Sequence, residues 1–242
     1  MKDILLRAKN DNIKVSGISF DSRTIKKNNI FFAIPGSNDD GYKYIDFAIK
    51  KGASAIVVPY GLKKYIKKKV PVYKVRNIRL SLSDASFKFY KNSINKKIAI
   101  TGTNGKTSVS FFINYLLSSF KKKSATIGTL GVSTNKKSIN LLTTPDPISI
   151  AKEMKLMQEK NIEYVIVEAS SHGIHQKRFS PLKFDVCVLT NISHDHLDYH
   201  RSMNHYISSK LDLFKLHLKS NGRALINGDT KYLKEIKRSL RK

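Results

Sequence analysis

Apolar positions along the chain fall into short blocks whose spacing alternates between the continuous runs of buried strands and the three-and-four periodicity of amphipathic helices. The first ninety or so residues predict a strand near Ile30 to Ile34, a helix carrying Ile45, Ala48 and Ile49, and a strand at Ala55 to Val58. A polar, lysine-containing bridge, Lys91 to Lys97, then separates this part from the rest and reads as a linker. Beyond it lies a strand at Ile98 to Ile100. Val109, Phe112, Ile113, Leu116 and Leu117 follow at i, i+3, i+4, i+7 and i+8, a helix with one apolar face. Further strands are predicted at Ala125 to Gly128, Tyr164 to Val167 and Val186 to Leu189, and a helix after Pro147 carries Ile150, Ala151, Met154 and Met157.

Strands alternating with helices predict an α/β fold: a small amino-terminal α/β domain over residues 1–92, then a mostly parallel sheet with helices on both faces over residues 93–242. In open parallel sheets, ligands sit beyond the carboxyl ends of the strands. Those ends are where the polar residues of this chain collect: Glu168 to Gly173 after one strand, Thr190 to His196 after another.

The strand at Ile98 to Ile100 breaks into T-G-T-N-G-K-T-S, Thr101 to Ser108, and then into the helix. Gly102 and Gly105 let the backbone turn tightly and aim N–H groups inward, Lys106 can reach outer phosphates, and the Thr107 hydroxyl can join a Mg2+ shell. The usual phosphate loop has four residues between its glycines and this one has two, Thr103 and Asn104, so strand–loop–helix context carries the reading. A plain glycine turn in a βα unit is the alternative. A Lys-Thr pair at a helix start argues for an anion, and so for ATP or GTP.

Charge changes this picture little. The chain of 242 residues carries 45 Lys and Arg against 18 Asp and Glu, a formal +27, but the lysines are scattered in small runs that read as solvated faces. A nucleic-acid role is not expected, while some help in attracting anionic substrates stays open. No stretch approaches the length of a membrane span and no signal-peptide core is present, which predicts a cytoplasmic protein without membrane insertion. Cys187 is the single cysteine and fills an apolar strand, so redox chemistry is not expected. All seven histidines lie between His172 and His217. His194, Asp195, His196, Asp198 and His200 could make a zinc site, but a triphosphate calls for Mg2+, which takes one or two carboxylates plus phosphate oxygens and water. His172, His175, His205 and His217 read as surface or hydrogen-bonding residues.

With these residues assembled, the chain resembles the Mur ligase family, which builds the peptide of bacterial peptidoglycan. The likeness rests on T-G-T-N-G-K-T at Thr101 to Thr107, L-T-T-P-D-P at Leu142 to Pro147, V-E-A-S-S-H-G at Val167 to Gly173, Q-K-R at Gln176 to Arg178, N-I-S-H-D-H-L-D-Y-H at Asn191 to His200 and S-K-L-D-L-F at Ser209 to Phe214. D-S-R at Asp21 to Arg23, P-G at Pro35 and Gly36, and D-G at Asp40 and Gly41 resemble the members that add the third residue of the peptide.

The resemblance implies an ATP-dependent amide ligase. Its substrates would be UDP-N-acetylmuramoyl-L-alanyl-D-glutamate and a diamino acid, meso-diaminopimelate or L-lysine, joined through an acyl phosphate. It implies that Gly102, Thr103, Asn104, Gly105, Lys106, Thr107, Ser108 and Asn191 hold the nucleotide. Lys106, Glu168, His196 and Lys210 would be catalytic, with Thr107, Glu168, His196 and Lys210 arranging Mg2+ and Lys210 carbamylated. Phe20, Ser22, Ser37, Asn38 and Asp39 would face the uridine diphosphate part, and Thr143, Thr144, Ser170, Gln176 and Arg178 the muramoyl-dipeptide. Family members continue past Arg223 to Asp229, so the resemblance predicts an incomplete central domain, no carboxyl-terminal amino-acid-binding domain and a fragment that does not turn over alone; a monomer is expected. A ligase like folylpolyglutamate synthetase and a non-catalytic nucleotide-binding protein of the phosphate-loop type are the rival readings.

Overall fold

A computed structural model describes residues 3–36, 39–62, 69–132 and 142–240 of the chain. It divides into two compact units, residues 1–91 and 92–242. Both are α/β, with mostly parallel sheets.

The first unit holds four parallel strands in the order β1 (Gly17–Ser19), β2 (Asn29–Phe32), β3 (Ala53–Pro59) and β4 (Val72–Val75). β2 and the centre of β3 are apolar on both faces because helices cover the sheet, as parallel sheets require. Ile45 and Ala48 of the helix Ile45–Lys50 close one cluster with Phe31, Ala33, Ile56 and Val58. The helix Ile78–Phe89 starts at Asn77, whose side chain accepts from the Leu80 N–H at 3.0 Å, a cap for an otherwise unpaired donor. Three of its buried positions are serines, Ser81, Ser83 and Ser86.

The second unit is built on a six-stranded sheet in the order β10-β9-β5-β8-β6-β7, with β5 (Lys96–Thr101), β6 (Ser124–Gly128), β7 (Gly131–Val132), β8 (Tyr164–Glu168), β9 (Phe184–Leu189) and β10 (Leu218–Ile226). Every pairing is parallel except β6 with β7. β5 begins at Lys96, so the bridge between the units is shorter than the polar stretch Lys91 to Lys97 predicts: strand pairing with β8 recruits two lysines whose own preference is for solvent. Asp146 caps the helix Pro147–Glu159 by accepting from the Ile148 and Ser149 N–H groups, with Pro147 at the first position. Ile150, Ala151, Met154 and Met157 of this helix are buried, as their spacing predicts. Cys187 is buried in β9, and loss of water pushes its thiol up to about 12.

The helix Lys106–Ser119 departs from expectation. Its inner face is Ser110, with Ile113 and Leu117 half-buried, while Phe112 and Leu116 are exposed together with Phe111 and Tyr115. Apolar periodicity alone cannot tell which side of a helix meets the sheet when both sides carry apolar residues.

Candidate functional site

β5 lies between β8 and β9, and chain segments leave these three strands side by side at their carboxyl ends. That is the crevice where open parallel sheets bind ligands. From β5 comes the loop Gly102–Gly105. Gly102 has φ +151°, and a Cβ there would sit 1.9 Å from the Thr190 hydroxyl oxygen, so backbone conformation and space both exclude a side chain. Gly105, at φ +81°, precedes the helix Lys106–Ser119, whose first N–H groups no capping side chain satisfies.

The loop is fastened to the segment after β9. Thr103 donates its N–H to the Asn191 carbonyl at 3.0 Å, and Asn104 donates its N–H to Asn191 Oδ1 at 2.9 Å. Asn191 Nδ2 in turn donates to the Asn104 carbonyl at 3.0 Å, and Thr190 Oγ1 donates to the same carbonyl at 2.6 Å. Asn191 thus braces the loop from outside, a role its position in the sequence does not reveal.

Two lysines converge on one carbonyl. Lys106 Nζ donates to Gly102 O at 2.9 Å and Thr103 O at 2.8 Å, and Lys210 Nζ donates to Gly102 O at 2.7 Å. Lys210 is 1 % exposed, on the helix Met203–Asp212. Burial, reinforced by the neighbouring Lys106 charge, pushes its amine down to about 7. Burial also lowers Lys106, opposed by Glu168 and Asp195.

Glu168 ends β8 and is 2 % exposed. Its Oε2 accepts from Thr107 Oγ1 at 2.8 Å and Thr129 Oγ1 at 3.0 Å; its Oε1 accepts from the Thr129 N–H at 3.2 Å and Ser110 Oγ at 3.4 Å. A Cβ on Gly128 would lie 2.1 Å from Oε1, so the carboxylate fills the space that glycine leaves. Thr129 and Ser110 carry no motif signal. They are legible only once β6 and the loop helix are known to flank Glu168.

His196 is reached less directly. It has φ +51°, its N–H donates to Asp195 Oδ1 at 2.9 Å, and its Nε2 lies 3.4 Å from Asp195 Oδ2. Its exposed ring meets His172 edge-on at 4.7 Å and stands 6.4 Å from Tyr206. His200 is buried with its Nε2 unpartnered, and burial next to His172, His205 and His175 lowers it to about 4. His175 and His205 do make hydrogen bonds, to Tyr199 and to the His200 carbonyl. His217 is buried and pairs with Leu182 O at 3.1 Å. Among the described residues no three His, Cys, Asp or Glu side chains converge to hold a metal ion. The donor set beside the loop is one carboxylate and one threonine hydroxyl, which fits Mg2+, an ion that draws its remaining ligands from phosphate and water.

A second cluster lies beside Glu168. Thr144 Oγ1 donates to Glu168 O at 2.7 Å, accepts from the Ser170 N–H at 2.9 Å and is 2.9 Å from Ser170 Oγ. Arg178 donates from Nε and Nη2 to Gln176 Oε1, at 3.2 and 2.8 Å, and from Nη1 to Thr144 O. Tyr199, inside the motif Asn191 to His200, accepts from Gln176 Nε2 at 3.2 Å. Thr143 is half-buried beside Thr144, and Ser108 is exposed in the first turn of the loop helix.

In the first unit, Phe20 and Ser22 follow β1 and Asp39 follows β2, beyond the carboxyl ends of adjacent parallel strands. Ser22 is buried; Phe20 and Asp39 are exposed. The Tyr44 hydroxyl and the Lys43 amine, at 3.0 Å, hold the Asp39 carboxyl below its usual range. Ser37 and Asn38 lie outside the described residues.

Comparison with known proteins agrees with this architecture. The Mur ligase middle domain matches residues 100–242, and the description "Mur ligase family, catalytic domain" matches residues 14–90. A UDP-N-acetylmuramoyl-L-alanyl-D-glutamate–2,6-diaminopimelate ligase of Rickettsia montanensis is 39% identical over 229 residues, covering 93% of this chain and 47% of its own. A ligase of the same name from Clostridium tetani is 39% identical over 235 residues, covering 94% and 48%. A solved structure of a ligase of that name superposes with a TM-score of 0.76 at 27% identity, over 93% of this chain and 45% of that one. The chain therefore spans about half the length of the curated relatives it matches.

Proposed function

Because the chain belongs to the Mur ligase family, we propose that it supplies the nucleotide and UDP-precursor sites of an ATP-dependent ligase that joins diaminopimelate to UDP-N-acetylmuramoyl-L-alanyl-D-glutamate. The observation that carries this reading is the convergence of Gly102–Gly105, Lys106, Lys210 and the Thr107–Glu168 pair at the carboxyl ends of β5 and β8. The choice of diaminopimelate over L-lysine follows the names of the relatives.

In the proposed reaction, an oxygen of the free glutamyl carboxylate bonds to the γ-phosphorus of ATP as the bond to ADP breaks, giving an acyl phosphate. The amine of the diamino acid then bonds to the acyl carbon, phosphate leaves with the C–O bond pair, and the amine loses a proton. Approach of a carboxylate to a triphosphate is opposed by charge, so catalysis of the first step is positioning and neutralisation. The loop N–H groups and the first turn of the helix Lys106–Ser119 would receive the phosphates, and Lys106 would leave its two carbonyl partners for the γ-phosphoryl oxygens. Thr107 and Glu168, with His196 at the rim, would hold Mg2+, which shields phosphate charge when bound.

Burial suits Lys210 to carbamylation, because only the neutral amine attacks CO2: an N–C bond forms, a proton leaves to solvent and an anionic oxygen ligand replaces a cation. The cluster of Thr143, Thr144, Ser170, Gln176 and Arg178 would receive the muramoyl-dipeptide, with the guanidinium clamping its carboxylate. Phe20, Ser22, Ser37, Asn38 and Asp39 would face the uridine diphosphate in the first unit. Among the described residues no helix is long and apolar enough to cross a membrane, and we place the protein in the cytoplasm as a monomer acting on soluble precursors.

The test is calorimetric titration of the 242-residue chain with ATP or ADP, with and without Mg2+. Saturable binding that is tighter with Mg2+ is expected, with a matching rise in melting temperature. Absence of nucleotide binding at millimolar concentration overturns the assignment.

A further inference from the structure

We propose that Tyr206 is a positioning residue, locking the phosphate loop and the helix that carries Lys210 into one rigid unit. Tyr206 sits on the helix Met203–Asp212, one turn before Lys210, and is completely buried. Its phenol lies 2.9 Å from Thr103 Oγ1, inside the loop. Thr103 Oγ1 also accepts the Ser193 N–H at 3.0 Å and points at the Ser193 carbonyl at 3.3 Å. A hydroxyl has one hydrogen, so with Thr103 donating to Ser193 O, the phenol is the donor to Thr103.

The other end of the contact is the ring. Lys210 Nζ lies 4.4 Å from the ring centroid of Tyr206 while donating to Gly102 O, the carbonyl just before Thr103. One side chain therefore touches two consecutive elements of the site, by its hydroxyl the loop and by its π-face the amine. The spacing of four residues along the helix stacks Tyr206 and Lys210 on one side, which makes this double contact possible. A phenylalanine would fill most of the space and keep the ring but not the bond to the loop.

The assignment rests on the nucleotide reading of the loop. It predicts that Tyr206→Phe, which keeps the ring and the packing, melts close to the parent chain yet binds Mg2+·ADP about fivefold more weakly, the worth of roughly one hydrogen bond. Thr103→Val, which also removes the two contacts to Ser193, is expected to weaken binding by at least that factor. The double variant Tyr206→Phe/Thr103→Val is expected to bind no more weakly than Thr103→Val alone, since that change already removes the bond to Tyr206. A role in core packing alone would leave the nucleotide dissociation constant of Tyr206→Phe at the parent's value.

The measurement is titration calorimetry on the parent chain and the three variants, with thermal unfolding of each in the absence of nucleotide. Binding by Tyr206→Phe equal to the parent's, or losses that multiply in the double variant, overturns the role of Tyr206 while leaving the nucleotide site standing. Failure of the parent chain to bind Mg2+·ADP overturns both.

Discussion

Replacement of Lys106 by alanine is expected to abolish measurable nucleotide binding, raising the dissociation constant by at least about a hundredfold, because two charge-assisted hydrogen bonds to phosphate are each worth roughly 1.5–3 kcal/mol. The expectation follows from where the amine is held. Lys106 Nζ spans Gly102 O and Thr103 O, at 2.9 and 2.8 Å, so it is already centred over the loop and needs only a side-chain rotation to reach phosphate oxygens. Because those two partners are carbonyls of a loop also pinned by Asn191 and Thr190, the variant should still fold. Calorimetry with a non-hydrolysable ATP analogue beside an unfolding curve separates the two effects. A folded Lys106→Ala chain binding nucleotide as the parent does would place the phosphates elsewhere.

Replacement of Glu168 by alanine should act on the metal and on the fold together. Its buried carboxylate accepts from the half-buried Thr107, the buried Ser110 and both the hydroxyl and N–H of the exposed Thr129, so deletion removes their shared acceptor and opens a void beside Gly128. A loss of about 2–4 kcal/mol in stability is expected from a buried hub of this kind. Glu168→Gln isolates the metal contribution. It keeps the shape but puts an NH2 group against donors, and it removes the charge that would bind Mg2+. For that variant the affinity for ADP measured without Mg2+ should stay near the parent's, while the tightening that Mg2+ confers on the parent should vanish. Retention of the full Mg2+ effect would move the metal away from Glu168.

Much of the second unit is legible in the amino-acid sequence because its local signals agree with one another. Asp146-Pro147 at a helix start, the apolar spacing of Ile150, Ala151, Met154 and Met157, and the continuous run Tyr164 to Val167 each point to the element that forms. The phosphate loop is readable despite its short spacing, since strand, glycines and Lys-Thr come in the required order.

Other parts are silent for identifiable reasons. The helix Ile78–Phe89 buries Ser81, Ser83 and Ser86, so its inner face carries no apolar stripe to detect. β1 is three residues long and β4 carries an exposed lysine between its valines, too little pattern for a strand to announce itself. The helix Lys106–Ser119 misleads in the opposite sense, with apolar residues on both faces and Phe112 and Leu116 turned outward.

Within the site, motif residues identify chemistry but not support. Lys106 and Thr107 stand out by residue type and place in the loop, Glu168 by its place at a strand end, and Lys210 by family resemblance alone. Thr129, Ser110 and Tyr206 are ordinary residues in sequence, and only the fold places them against the others. The depression of Lys210 is likewise a product of folding: nothing in S-K-L-D-L-F says that this lysine loses its water.

The central claim is that nucleotide phosphates lie against Gly102–Ser108 with Mg2+ beside Thr107 and Glu168. Its most direct test is to follow backbone amide resonances of the isotope-labelled chain during titration with Mg2+·ADP. The account predicts saturable shifts concentrated at Gly102 to Ser108, Thr129 and Asn191. Saturable shifts confined to residues remote from the carboxyl ends of β5, β8 and β9, with those amides unmoved, would contradict it.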